Sequence, residues 1–151
     1  MTYQRHVTRC GAILQKGISR LAIADTHALI WYLCNDERLS DRAKDMFEMA
    51  IVKNESIGIS TISLIELIYL TEKKRIPDTA LDNFRKEQDS ESSILQIISL
   101  NSNISFGIRN IERDSVPEMP DRIIAATALH FSLPLITRDH KIQHSIVDTI
   151  W

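Results

Sequence analysis

The sequence predicts an α/β fold with a mostly parallel sheet of four to five strands, covered by helices on both faces. Three observations carry this expectation. Short apolar runs bounded by polar residues recur as LAIA at 21–24, SIGIS at 56–60, ILQIISL at 94–100 and LPLIT at 133–137. Such runs suit buried parallel strands. Segments of helical spacing separate them, which implies right-handed crossovers. The chain has 151 residues, 44% hydrophobic and 25% charged, enough for one domain with a buried core.

Residues 1–19 stand apart as an N-terminal extension, and residues 20–151 form the expected domain. Arg5, Arg9 and Lys16 lie in the extension, and no acid precedes Asp25. It reads either as an appended arm or as sequence upstream of the true translation start. The first strand ends on Asp25. THALIWYLCN then places Leu29, Ile30 and Leu33 at helical spacing. Ser40 caps a helix expected over 41–53, which buries Ala43, Met46, Phe47 and Ala50. After the strand at 56–60, Ile62 to Lys74 read as a helix, and Pro77 and Asp78 open another reaching about 88. A third strand is expected at 94–100, and a helix across NSNISFGIRNIERD. Pro120 opens a helix at 121–131, since proline is tolerated in a first turn. The fourth strand is 133–137, followed by a short helix near 139–145 and a weaker fifth strand at 147–150.

Composition narrows the function classes. No apolar run approaches the roughly 20 residues that span a bilayer, and no secretory signal is visible. Two cysteines, Cys10 and Cys34, without CxxC spacing fit a reducing cytosol and no structural zinc. A net charge of -2 means that any nucleic acid must be met by a local basic patch.

Sheets of this kind hold ligands beyond the carboxyl ends of their strands. Asp25 directly follows the first strand and Asp139 follows the fourth, so both fall at that rim. Taken singly, each is also compatible with a loop or capping aspartate. Glu66 lies in TISLIELIYL, with Ile62 and Tyr69 on its helical face. A carboxylate in so apolar a stripe loses hydration at a cost on the order of several kcal/mol unless it is paired or metal-bound. Asp121 begins a helix apolar nearly all round, from Ile123 to Leu129, which marks a central helix whose amino end lies near the rim. An acid there also suits the helix dipole. Four acids at one rim repel each other, and a divalent cation removes the conflict. An all-oxygen set without cysteines favours Mg²⁺ or Mn²⁺ over Zn²⁺.

With ADTHALIWYL at 24–33, ISTISLIELIYLTEKKRI at 59–76, PDRIIAATAL at 120–129 and PLITRDHKI at 134–142, the chain from Leu21 to Ile150 resembles a PIN-domain ribonuclease. More narrowly, it resembles the toxin of VapBC-type toxin–antitoxin pairs. The resemblance implies a three-layer α/β/α fold and a metal-binding cluster of Asp25, Glu66, Asp121 and Asp139. It implies support from Thr137, a hydroxyl just before the last acid. Thr26 and Ser63 are further supporting candidates. Glu118 stands where the family carries another acid, as a longer side chain, and Ile65 stands where such toxins often carry tryptophan. The implied activity is hydrolysis of RNA phosphodiester bonds in the cytoplasm, with a cognate antitoxin and a homodimer as partners. Arg122 and Arg138 adjoin the acids and are the candidate phosphate contacts.

Other readings carry less. His140 and His144 share a helix face, but Lys141 stands where HExxH requires Glu. Lys73, Lys74 and Arg75 end a helix, where cations favour the dipole, with RNA contact the lesser reading. His27 reads as structural or peripheral to the metal. Trp31 and Tyr32 read as core or dimer contacts and not as base-stacking platforms. Ser60 and Ser63 lack a His–acid partner pattern for a nucleophile and suit capping or hydrogen bonding to Glu66. An aspartyl-phosphate enzyme requires a second acid where His27 stands. A stand-alone nuclease without an antitoxin, and a non-catalytic binding module of the same fold, remain as alternatives.

Overall fold

Alternation of side chains along the central strand sets the layers. In β1 (Arg20–Ala24), Ala22 and Ala24 belong to one buried cluster and Ile23 to the other. The structure, a computed structural model, describes residues 19–151. The extension expected at 1–19 lies outside the described residues except for Ser19, whose carbonyl accepts the Ser56 N–H at 3.1 Å.

β1 is followed by α1 (Thr26–Leu33), α2 (Asp41–Lys53) and β2 (Ser56–Ser60). Then come α3 (Thr61–Glu72), α4 (Asp78–Asp89), β3 (Leu95–Ile98) and α5 (Ser102–Gly107). A 3₁₀ turn (Ile108–Asn110), α6 (Met119–His130), β4 (Leu135–Ile136), α7 (His140–Gln143) and β5 (Thr149–Ile150) complete the order. The five strands are all parallel, in the order β3-β2-β1-β4-β5. One face packs on α1, α2 and α4, and the other on α5, α6 and α7, which gives three layers. Strand order reverses between β1 and β4, so the crevice for a ligand opens above that pair.

Local signals account for most boundaries. The Ser40 hydroxyl accepts the Ala43 N–H at 3.1 Å, and Asn54 closes α2 in the left-handed region at φ 52°. Two expectations are corrected. The helix expected across 101–114 ends as α5 at Gly107 and tightens into the 3₁₀ turn, because Ile111 must turn inward to 1% exposure. The fourth strand is paired only at Leu135–Ile136. Upstream, the Leu133 N–H is drawn to the Ala128 carbonyl at the end of α6, and Pro134 has no N–H to donate.

Gly58 lies in β2, and its missing side chain lets two isoleucines from neighbouring strands meet. A Cβ there would lie 2.5 Å from Ile98 Cδ1 and 2.6 Å from Ile23 Cδ1. Both isoleucines are buried, which limits their freedom to move aside. Gly58→Ala is therefore expected to destabilise the fold by about 1–3 kcal/mol, the range for overpacking, as read by urea unfolding.

Candidate active site

The crevice between β1 and β4 is built from helix ends. Asp25 leaves β1 and caps α1, its Oδ1 accepting the Ala28 N–H at 2.8 Å, and it is only 6% exposed. Asp139 performs the same service after β4. Its Oδ1 accepts the N–H groups of Lys141 at 2.8 Å and Ile142 at 3.2 Å, at the head of α7. The buried Thr137 hydroxyl accepts the Asp139 N–H at 3.0 Å, which ties the end of β4 to its acid. The capping roles and the shared rim thus coexist. Each cap bond fixes one carboxylate oxygen, Oδ1, at the head of a helix.

Glu66 lies in the second turn of α3 and is half-buried. The buried Thr26 hydroxyl lies 2.6 Å from its Oε1 and 3.0 Å from the buried Ser63 hydroxyl. One proton serves Glu66, and Ser63 can donate in turn to Thr26. The expectation of a deeply apolar surrounding is corrected, because Ile65, Ile68 and Tyr69 are exposed. The need for a partner is nevertheless met by Thr26. Asp121 sits in the first turn of α6, whose residues Ile123 to Ala128 are buried, as expected of a central helix.

All four acids line one cleft of about 500 Å³, together with Thr26, His27, Arg138 and Lys141. Among the described residues, no three acidic, histidine or cysteine side chains are drawn close enough to form a ready metal cage. The acids share a cleft without converging on a point. Their mutual repulsion is nonetheless visible. Asp121 is pushed up to about 6 by burial, then by the charges of Asp139, Glu66, Asp25 and Glu118. Burial raises Asp25 as well, opposed by the Thr137 hydroxyl and the Ala28 N–H. Neither ion pair found among the described residues, Arg38–Asp36 or Lys74–Asp78, touches these acids. The donor set, oxygen throughout and overcharged, fits a hard divalent cation.

Glu118 is exposed and reaches the site only through its charge on Asp121. Arg138 lines the cleft, its guanidinium 5.9 Å from the Trp31 ring centroid. Arg122 does not. Its Nη2 donates to the carbonyls of Ile108 at 3.1 Å and Ile111 at 2.8 Å, so it braces the loop before α6 and faces away from a phosphate. His140 also lines the cleft, with its Nδ1 3.2 Å from Gln143 Oε1, while His144 Nδ1 lies 2.6 Å from the His140 carbonyl. Sequence reasoning overlooked Lys141, which reaches the cleft because α7 is a single turn. It also overlooked Trp151, whose ring lies 5.6 Å from Trp31; neither has a local signal.

The sign of the pH dependence follows from Asp121. Its value of about 6 in the fold lies above the ordinary 3.8, so the fold favours the protonated group. That stability is fully present below about pH 4 and is lost as pH rises through about 6. Asp36, held down to about 2 by Arg38, titrates outside this window. Metal-free protein is expected to melt higher at about pH 5 than at about pH 7.5, and Asp121→Asn to flatten that difference in calorimetry with chelator. Arg122→Ala is expected to cost about 1.5–3 kcal/mol in denaturant unfolding, the range for hydrogen bonds to a charged group.

Comparison with known proteins places the chain in a family. A curated relative, Ribonuclease VapC22 of Mycobacterium tuberculosis (strain ATCC 25618 / H37Rv), is 24% identical over 132 residues, covering 85% of this chain and 97% of the relative. Among solved structures, VapBC2 from Rickettsia felis bound to a DNA fragment from their promoter aligns with a TM-score of 0.65 at 18% identity, covering 85% of this chain and 96% of that one. A toxin–antitoxin complex from Klebsiella pneumoniae aligns with a TM-score of 0.59 at 27% identity, covering 86% and 96%. Residues 22–145 match the PIN domain family, a range that runs from β1 through α7 and contains all four acids. The chain belongs to the PIN domain family.

Proposed function

We propose that this protein is a metal-dependent endoribonuclease, the toxin of a toxin–antitoxin pair. The observation that carries the reading is the meeting of Asp25, Glu66, Asp121 and Asp139 in one cleft at the strand-order reversal. The similarity to a curated ribonuclease and to toxin–antitoxin complexes supports it. Mg²⁺ or Mn²⁺ is the fitting cofactor, held by those four acids. When bound, a divalent cation supplies positive charge that polarises the phosphodiester and makes water a stronger nucleophile.

The protein's own groups divide the remaining work. Asp25 and Asp139 are fixed as caps, so their oxygens are aimed before substrate arrives. Thr26 orients Glu66 through its hydroxyl. Asp121, pushed up to about 6 by burial and then by the neighbouring acids, can hold a proton near neutrality while the site is metal-free. Arg138 and Lys141 place positive charge on the same cleft, suited to RNA phosphates. A cognate antitoxin and a second copy of the chain are the partners in this reading. The exposed Ile65, Ile68 and Tyr69 of α3 offer an apolar surface for protein contact. No described helix is long and apolar enough to cross a membrane, and the reading places the enzyme in the cytoplasm.

Asp25→Asn is expected to lower metal-dependent cleavage of RNA by at least about 100-fold while the fold persists, since a capping Asn replaces a capping Asp at little cost. Chelator is expected to abolish cleavage by the wild type, and Mg²⁺ or Mn²⁺ to restore it. Wild-type rates in the Asn variant, assayed on purified protein, would remove the site assignment. Light scattering of the purified chain reads the homodimer.

A further inference from the structure

Two cavities meet along α1. The acidic cleft adjoins a second cavity of about 280 Å³, and His27 and Trp31 line both. Trp31 is 7% exposed. The exposed His27 ring stands over it, with centroids 5.7 Å apart.

The balance of charge shifts across Trp31. The acidic cleft sets four carboxylates against Arg138 and Lys141. The second cavity carries Arg75 and an Arg38 paired with Asp36, with Ile30, Leu70 and Ile76 also in its lining. Arg38 is fixed in place. It grips Asp36 through Nη2 at 2.7 Å and Nε at 3.0 Å, with its guanidinium 5.2 Å from the Trp31 ring centroid. Arg75 is held only by its backbone, whose N–H donates to the Leu70 carbonyl at 2.9 Å just after Lys74 turns the chain at φ 56°. Its side chain is exposed and joins neither ion pair among the described residues. A guanidinium presented in this way matches a phosphate through two parallel hydrogen bonds. The apolar floor suits the face of a sugar or base.

We infer that the second cavity is a subsite for single-stranded RNA, in which Arg75, beside Arg38, binds the backbone phosphate of a nucleotide beyond the one held at the acids. The inference rests on the ribonuclease reading for the identity of the strand. Its physical basis is the lining that the two cavities share, His27 and Trp31, and the exposed Arg75, which joins neither ion pair among the described residues. A strand met by Arg138 and Lys141 at the acids gains a further phosphate contact at Arg75.

The test measures binding apart from cleavage. A fluorescein-labelled, mixed-sequence 16-nucleotide RNA is titrated in magnesium buffer against Asp25→Asn, so that the strand is not consumed, and against Asp25→Asn/Arg75→Ala. Arg75 is exposed, so its loss leaves the core intact. Loss of one phosphate contact is expected to reduce the slope of log affinity against log salt by about 0.7, which amounts to about fivefold weaker binding at about 0.1 M salt. Arg75→Lys is expected to retain the slope, because a charge remains. Equal affinity and slope with and without Arg75 would overturn the subsite and leave the cavity to a protein partner. Cleavage of the same RNA by wild-type protein is scored separately. Binding that depends on Arg75 without cleavage keeps the subsite and removes the nuclease reading. Cleavage with binding indifferent to Arg75 does the reverse.

Discussion

Repulsion among four carboxylates is the constraint around which this molecule is arranged. The fold brings Asp25, Glu66, Asp121 and Asp139 to one crevice and supplies no ion-pair partner for them among the described residues. The rest of the scaffold must absorb that conflict. Asp25 and Asp139 are stabilised by backbone N–H groups at helix starts, which also fixes their direction. Glu66 receives a hydroxyl proton and remains half-solvated. Asp121 has no cap to serve, and burial, then the charges of the other acids, push it up to about 6. A protein selected for stability alone would place an asparagine or a lysine in such a position.

The parallel sheet is what makes this arrangement available. With β1 in the centre and the order reversing beside β4, the helices after β1 and β2, and the one that leads into β4, present their amino ends on the same side. Dipole and free N–H groups therefore accumulate where the acids accumulate. The opposing layers keep the frame stiff. Ile23 and Leu135 face one layer, while Ala24 and Ile136 face the other, immediately below the acids.

Much of this was legible in the sequence, because much of it is local. The α2 boundaries were readable from Ser40 and the apolar spacing of Ala43, Phe47 and Ala50. The rim positions of Asp25 and Asp139 followed from the strands that precede them. What escaped depends on contacts distant in sequence. The segment 101–114 has helical composition, but it gives up its helix where Arg122, beyond the loop, claims two of its carbonyls. Hydropathy showed that α3 is apolar but not which side is covered, so the dehydrating stripe expected around Glu66 is opened by the exposed Ile65, Ile68 and Tyr69. Glu66 was still identified, because its argument required only a partner, and Thr26 lies 40 positions away in sequence. The fork of Arg122 into the loop could not be told from a phosphate contact without its acceptors.

The adjacency of Asp121 and Arg122 couples two parts of the molecule that have no chemistry in common. Successive residues of one helical turn diverge by about 100°, so α6 directs one side chain to the acids and the next to the carbonyls of residues 108 and 111. The loop before α6 and the Asp121 carboxylate are thus two arms of one lever, with a single peptide bond as pivot. Variation in that loop would be filtered by its effect on the placement of an oxygen it never touches. Its length and composition therefore belong to the tolerances of the acidic crevice as much as to the surface.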